Sequence, residues 1–167
     1  MKCTTIFKCL AGVTVILEYD LVRADAIEPE RANPSDAGLD VFYSPPKPGQ
    51  TINIQPGESK IIPTGLRFGV PHGYMLEVKN RSSVAAKRSL IVGACVVDSG
   101  YDGEIFVNLH NVGTETQYLR PAQKIAQLVL VPVVHFRAFR SQSNDLYRQL
   151  ITISDRGDGA LGSTDNG

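Results

Sequence analysis

The 167-residue sequence has no excess of charge of either sign: Lys plus Arg and Asp plus Glu number 17 each. A surface for duplex nucleic acid needs a net basic field, so this balance argues against that class of partner. Single basic residues remain free to bind a small anion. Cysteine is scarce. Cys3, Cys9 and Cys95 are odd in number and stand in no metal-ligand spacing, which excludes a zinc set and predicts structural thiols in a reducing compartment. Long apolar runs are missing too. "LAGVTVIL" (10 to 17) is too short to span a bilayer. Lys8 interrupts the run, Glu18 follows it and no small-residue cleavage site appears, so it reads as a strand of a cytoplasmic protein rather than a signal peptide. No nucleophile elbow, Walker loop or dinucleotide fingerprint occurs, and no internal repeat is visible. His72, His110 and His135 are scattered, and read as surface or packing residues.

Helical periodicity is nearly absent, and period-2 alternation takes its place. Strands are expected over 14 to 22, 51 to 54, 59 to 68, 74 to 78, 104 to 110 and 125 to 134. Turn chemistry in "PPKPGQ", "QPGE", "VPHG", "NVGTE" and "RPAQ" separates them. Only "SSVAAKRS" (82 to 89) suggests a helical turn or two. Many short strands at regular spacing indicate an all-β barrel or sandwich. Residues 140 to 150 read as a polar surface excursion. The glycine-rich "DRGDGALGSTDNG" (155 to 167) reads either as a frayed terminus or as a lid whose backbone amides approach an anion.

Three stretches hold residues suited to chemistry. In "KNRSSVAAK" (79 to 87), Arg81, Ser82 and Ser83 offer a guanidinium, two hydroxyls and helix-start amides to a phosphate, or else a plain Ser N-cap beside a surface Arg. In "DAGLDVFY" (36 to 43), Asp40 points opposite to Leu39 and Val41, and an acid at a strand start is ordinarily a solvated turn residue. In "VVDSGYDGEI" (96 to 105), Asp98 follows "CVV" and is expected at the mouth of a buried strand. There it could take a proton from water, or close an Asx-turn with Ser99 and Gly100.

The order of these stretches is more specific than any one of them. "DAGLDVFY", "RSSVAAK", "VVDSGYDGEI", "RPAQKIAQLVLVPV" and "RGDGALGST" succeed one another in a pattern that resembles the trimeric dUTP pyrophosphatases, the dUTPases. The resemblance runs from about residue 14 to the C-terminus and implies a jelly-roll-like β-barrel (residues 1–154) with a flexible arm (155–167). It implies a homotrimer in which each active site is built from three chains. Asp98 would activate the water that attacks the α-phosphorus of dUTP, giving dUMP and pyrophosphate. Tyr101 would pack on the deoxyribose and exclude a 2′-hydroxyl. Arg81, Ser82, Ser83 and Gln127 would contact phosphates, and Arg156 would close over the γ-phosphate with Leu161, Gly162 and Ser163 in the same arm. Uracil would be read by the main chain of a hairpin over 89 to 98, turning near Gly93 and Ala94 and including Val97. Magnesium would be held mainly by the triphosphate, with Asp40 reaching it through water.

Departures from the pattern are visible. The distance between the second and third stretches is a couple of residues short, and the chain between the fourth and fifth is long. Leu161 stands where the family usually carries an aromatic that stacks on uracil, "PAQK" replaces the more usual Pro-Gly-Asp-Arg, and Ala160 replaces a glycine. Two rival readings fit parts of the same pattern. A dCTP deaminase, which shares the fold, needs a glutamate where Asn108 stands. A non-catalytic trimeric β protein has no reason to keep Arg81, Asp98, Tyr101 and Arg156 together.

Overall fold

Strand alternation is clearest in the segment Phe106–Asn111, where Val107, Leu109 and Asn111 are buried and the residues between them are not. The computed structural model describes residues 15–142. In chain order its elements are β1 (Glu18–Leu21), β2 (Leu39–Phe42), β3 (Ile52–Ile54), β4 (Ser59–Pro63), β5 (Leu66–Gly69) and β6 (Tyr74–Lys79). There follow α1 (Ser82–Arg88), β7 (Leu90–Val92), β8 (Val96–Val97), β9 (Phe106–Asn111), β10 (Gln117–Leu119) and β11 (Lys124–Pro132). The fold is all-β and jelly-roll-like, with α1 the one α-helix among the described residues. None of these elements is a helix long and apolar enough to cross a membrane.

The strands pair antiparallel in four small sheets, ordered β2-β11-β6-β8, β4-β9-β7, β1-β5 and β10-β3. Their inward faces share one core. Val41, Ile62, Leu66, Val107, Leu109, Leu119 and Ala126 are fully buried, with Leu76, Leu90, Ile105 and Ile125 nearly so. Each large aliphatic side chain there contributes about 1.5–3 kcal/mol through water exclusion. β11 is the longest strand and has a partner on either side. A register irregularity between Lys124 and Ala126 turns its first residue toward Phe42.

Two expectations are revised. The stretch 59 to 68 is two strands in two sheets, because Thr64 leaves the ladder and its hydroxyl donates to the Ile105 carbonyl at 2.7 Å. The segment 89 to 98 is not a hydrogen-bonded hairpin. β7 pairs with β9 and β8 pairs with β6, while the linking amide of Gly93 donates to Asn108 O at 2.9 Å. Cys95 O accepts instead from Val78 N–H at 2.7 Å. β7 and β8 therefore diverge into different sheets.

The compact unit ends at Val134. Of the second unit, residues 135–142 are described; they contain no helix or strand, and Phe136 and Phe139 are exposed.

Candidate active site

Asp40 is 7% exposed, so it is a buried acid and not the solvated turn residue expected of its position. Two cations account for this. Its Oδ1 accepts from Arg81 Nε at 2.7 Å and its Oδ2 lies 3.0 Å from Lys124 Nζ. A charge taken out of water is tolerated only when so paired. Lys124 also pairs with Glu30 and lies over the Phe42 ring, 5.6 Å from its centroid. The hydrogen bond from Lys124 to Glu30, then the one to Asp40, holds its ammonium pKa above the ordinary 10.5.

Gln127 joins this cluster through strand register, standing opposite Asp40 on β2 and Lys79 on β6. Its Nε2 donates to Asn80 O at 2.9 Å. Arg81 is the N-cap of α1 but makes no side-chain cap bond, and Ser82 is the first helical residue, so the Ser N-cap alternative does not hold. The other face of Arg81 reaches Ser83, whose Oγ accepts from Nη1 at 3.4 Å. Ser82 and Ser83 are exposed. Arg81, Ser82, Ser83, Gln127 and Asp40 thus meet at one end of β6. The cluster presents hydroxyls and guanidinium nitrogens outward, which suits a polyanion.

At the other end of β6 lies the bend at 98 to 101. Its backbone closes with Tyr101 N–H donating to Asp98 O at 3.3 Å, and Gly100 at a φ of 89° supplies the left-handed residue that the turn requires. β8 before it is an edge strand with Val96 56% exposed, so Asp98 sits on an open edge rather than at the mouth of a buried strand. The Asp98 carboxylate is exposed and accepts no hydrogen bond from any described residue, which also removes the Asx-turn alternative. Tyr101 is 46% exposed, and its hydroxyl donates to Glu104 O at 2.9 Å. Val96, Val97, Asp98, Tyr101 and Phe106 line a pocket of about 220 Å³ there.

Gly93 and Ala94 are exposed and rest on two polar side chains of β9. Asn108 Oδ1 lies 2.9 Å from His110 Nε2 and accepts the Ala94 amide at 3.3 Å. A Cβ on Gly93 would come within 2.3 Å of both Asn108 Oδ1 and His110 Nε2, so a larger residue there displaces these side chains. Asn80 ties this segment to the cation cluster, since its Oδ1 accepts the Val92 amide at 2.7 Å.

The two halves are far apart within one chain. Gln127 is level with Lys79 on β6, whereas Val97 is level with Leu76 on the opposite side. Strand rise and spacing then put the Cα atoms of Gln127 and Asp98 about 16 Å apart. No side chain in either half bridges that distance. Among the described residues no group of three His, Cys, Asp or Glu could hold a metal, and both oxygens of Asp40 already face cations.

A family model described as dUTPase matches residues 24–165. The chain belongs to the dUTPase family. Curated relatives agree. The deoxyuridine 5′-triphosphate nucleotidohydrolase of Chlamydia muridarum is 37% identical over 138 residues, covering 81% of this chain and 89% of its own. That of Laribacter hongkongensis is 36% identical over 154 residues, covering 90% and 97%. The fold is also that of solved dUTPases. The enzyme of Staphylococcus bacteriophage 80alpha, solved with dUpNHpp, superposes with a TM-score of 0.76 at 24% identity, covering 90% of this chain and 98% of that one. A phage phi11 dUTPase described for its structural Mg(II) ion gives a TM-score of 0.69 at 24% identity, over 77% and 98%.

Of the dUTPase residues expected from sequence, Arg81, Ser82, Ser83, Gln127 and Asp40 come together, while Asp98, Val97 and Tyr101 form the second group. Gly93 and Ala94 lie on the link between β7 and β8. Arg156, Leu161, Gly162 and Ser163 lie outside the described residues. Sequence reasoning missed Lys124 and Asn80. Their roles depend on register and on a side chain crossing between strands, for which the dUTPase-like sequence carries no local signal.

Proposed function

We propose that this chain hydrolyses dUTP to dUMP and pyrophosphate, keeping uracil out of DNA and supplying dUMP, in a homotrimer whose sites draw on more than one chain. The observation that carries the reading is the unengaged Asp98 carboxylate beside Tyr101. Among the described residues it has no cation or hydrogen-bond donor on it, unlike Asp40 and Glu104, and so is available as a base. Asp98 takes a proton from the water that attacks the α-phosphorus. Tyr101, anchored by its hydroxyl, packs on the deoxyribose and leaves no space for a 2′-hydroxyl.

The 16 Å gap supports shared sites. A cation cluster at one end of β6 serves the phosphates of a nucleotide whose base and sugar are held by the bend of a neighbouring chain. Arg81, Ser82, Ser83 and Gln127 bind the phosphates. Gly93, Ala94 and Val97 read uracil with main-chain groups on the segment where β7 and β8 diverge into different sheets. Arg156, Leu161, Gly162 and Ser163, on the arm 155–167, close over the site of another subunit.

The donor set fits magnesium carried by the nucleotide. No protein cage is present among the described residues, and Asp40, already paired with Arg81 and Lys124, is suited to contact through water. Bound there, the ion supplies charge neutralisation at the phosphates. The free, half-buried thiol of Cys95 suits the reducing cytoplasm as the compartment.

The test is Asp98→Asn, assayed for nucleotide binding by titration calorimetry and for turnover by pyrophosphate release. Binding is expected to persist and turnover to disappear. An active Asp98→Asn protein would overturn the mechanism.

A further inference from the structure

Tyr101 is held by Glu104 within its own stretch, and Glu104 is held in turn by Arg23 and Gly65, which lie outside the five stretches of the resemblance. The Tyr101 hydroxyl donates to the main-chain oxygen of Glu104 at 2.9 Å, and its ring lies against Gly103, where a Cβ would fall 2.5 Å from the phenolic oxygen. The place of the ring therefore follows the backbone at 103 and 104. That backbone is pinned through the Glu104 side chain. Glu104 Oε1 accepts from Arg23 Nη2 at 2.8 Å and from the Gly65 amide at 2.7 Å, and Oε2 accepts from Arg23 Nη1 at 2.9 Å. Arg23 in turn donates from Nη2 to Ser44 O at 2.7 Å.

The pair spans 81 positions of sequence, and its side chains are only 21% and 13% exposed. Arg23 Nε is buried with no partner among the described residues, so the guanidinium's hydrogen bonds there run through its two terminal nitrogens, to Glu104 and Ser44. A bidentate fork of this kind fixes the plane of the carboxylate, which a lysine point charge does not. The next residue is fastened as well, since Ile105 N–H donates to Leu66 O at 2.7 Å.

We infer that Arg23 and Glu104 are positioning residues for sugar discrimination: their fork holds the Glu104 carbonyl to which the Tyr101 hydroxyl is anchored, and so sets the ring against the nucleotide sugar. Neither side chain needs to touch the nucleotide. The inference rests on the reading of Tyr101 as the residue that excludes a 2′-hydroxyl. Loosening the fork lets the ring yield, which costs dUTP turnover something and admits UTP.

The decisive quantity is the ratio of kcat/KM for dUTP to that for UTP, which a merely structural role would leave unchanged. Arg23→Met and Glu104→Gln are each expected to lower it by about tenfold, since small misplacements at a site have effects of that order or larger. Arg23→Lys should fall between wild type and Arg23→Met, because it restores charge without the fork. Tyr101→Ala separates the two levels of the argument. An unchanged ratio in Tyr101→Ala would overturn the gate itself and the inference with it. A collapsed ratio in Tyr101→Ala, with folded Arg23→Met and Glu104→Gln losing both substrates equally, would overturn only the positioning role. Should the Arg23 and Glu104 variants fail to fold, Tyr101→Phe carries the test. It removes only the hydroxyl bond to Glu104 O, so a lowered ratio supports the inference and an unchanged ratio overturns it.

Discussion

Mixing two inactive variants, Asp98→Asn and Arg81→Ala, should restore activity. The structure separates the groups they remove, with Gln127 of the Arg81 cluster and Asp98 about 16 Å apart across two strand spacings of one sheet. If a working site pairs the cluster of one chain with the bend of the next, a mixed trimer contains one site with both residues intact. Random reassembly of equal amounts makes about three quarters of the trimers mixed, and one site in three of those is whole. The mixture should then show about a quarter of wild-type turnover. Each variant would be purified alone, unfolded in denaturant, refolded together and assayed for pyrophosphate release, with distinct tags reporting mixed trimers. Mixed trimers without recovered activity would refute the shared site and place Asp98 and Arg81 in one chain's catalysis.

Other perturbations probe single features. Asp40→Asn keeps the shape but replaces the ion pair with Arg81 by an ion–dipole hydrogen bond and turns an amide toward Lys124. The expected loss is about 1–2 kcal/mol in urea unfolding, and an unchanged midpoint would show the buried pair to be idle. Ala122 has a φ of 66°, which costs an L-residue about 1–2 kcal/mol. Ala122→Gly relieves this strain and returns about 0.4–1 kcal/mol of chain entropy to the unfolded state, so a net gain of about 0.5–1 kcal/mol is expected. A lowered Tm would contradict the strain. Gly93→Ala drives a Cβ into Asn108 and His110, and should raise the KM for dUTP about tenfold with a smaller effect on kcat. A normal KM would separate this link from base binding.

Local pattern made most of the strands and the helix legible, though not β10 (Gln117–Leu119), which no expected strand covered. "SSVAAKRS" became α1 within a residue, and the alternation of "EIFVNLH" became β9, because both depend on periods the sequence displays directly. Sheet membership was not legible. The chain from Ser59 to Phe68 reads as one strand-like run, but the Thr64 hydroxyl bonding Ile105 O and Gly65 at a φ of 74° divide it between sheets. The same limit applies to the site. Asp98 and Tyr101 share one bend and could be paired by eye, but the open edge of β8 that exposes Asp98 is a property of the sheet. Asp40 looked like a solvated acid because its cations come from positions 81 and 124, brought beside it by β6 and β11. Arg23 gave no sign at all, its partner being 81 residues away.

Asn108 separates the account from its nearest rival. Its Oδ1 is taken by the Ala94 amide and lies against His110, and an amide offers no carboxylate to shuttle protons at a cytosine ring. The most direct measurement is therefore pyrophosphate release across dUTP, dCTP, dTTP and UTP, with deamination of dCTP followed in parallel. The account predicts rapid release from dUTP alone, with no uracil nucleotide formed from dCTP. Release of uracil nucleotide from dCTP, or no turnover of dUTP, would contradict it.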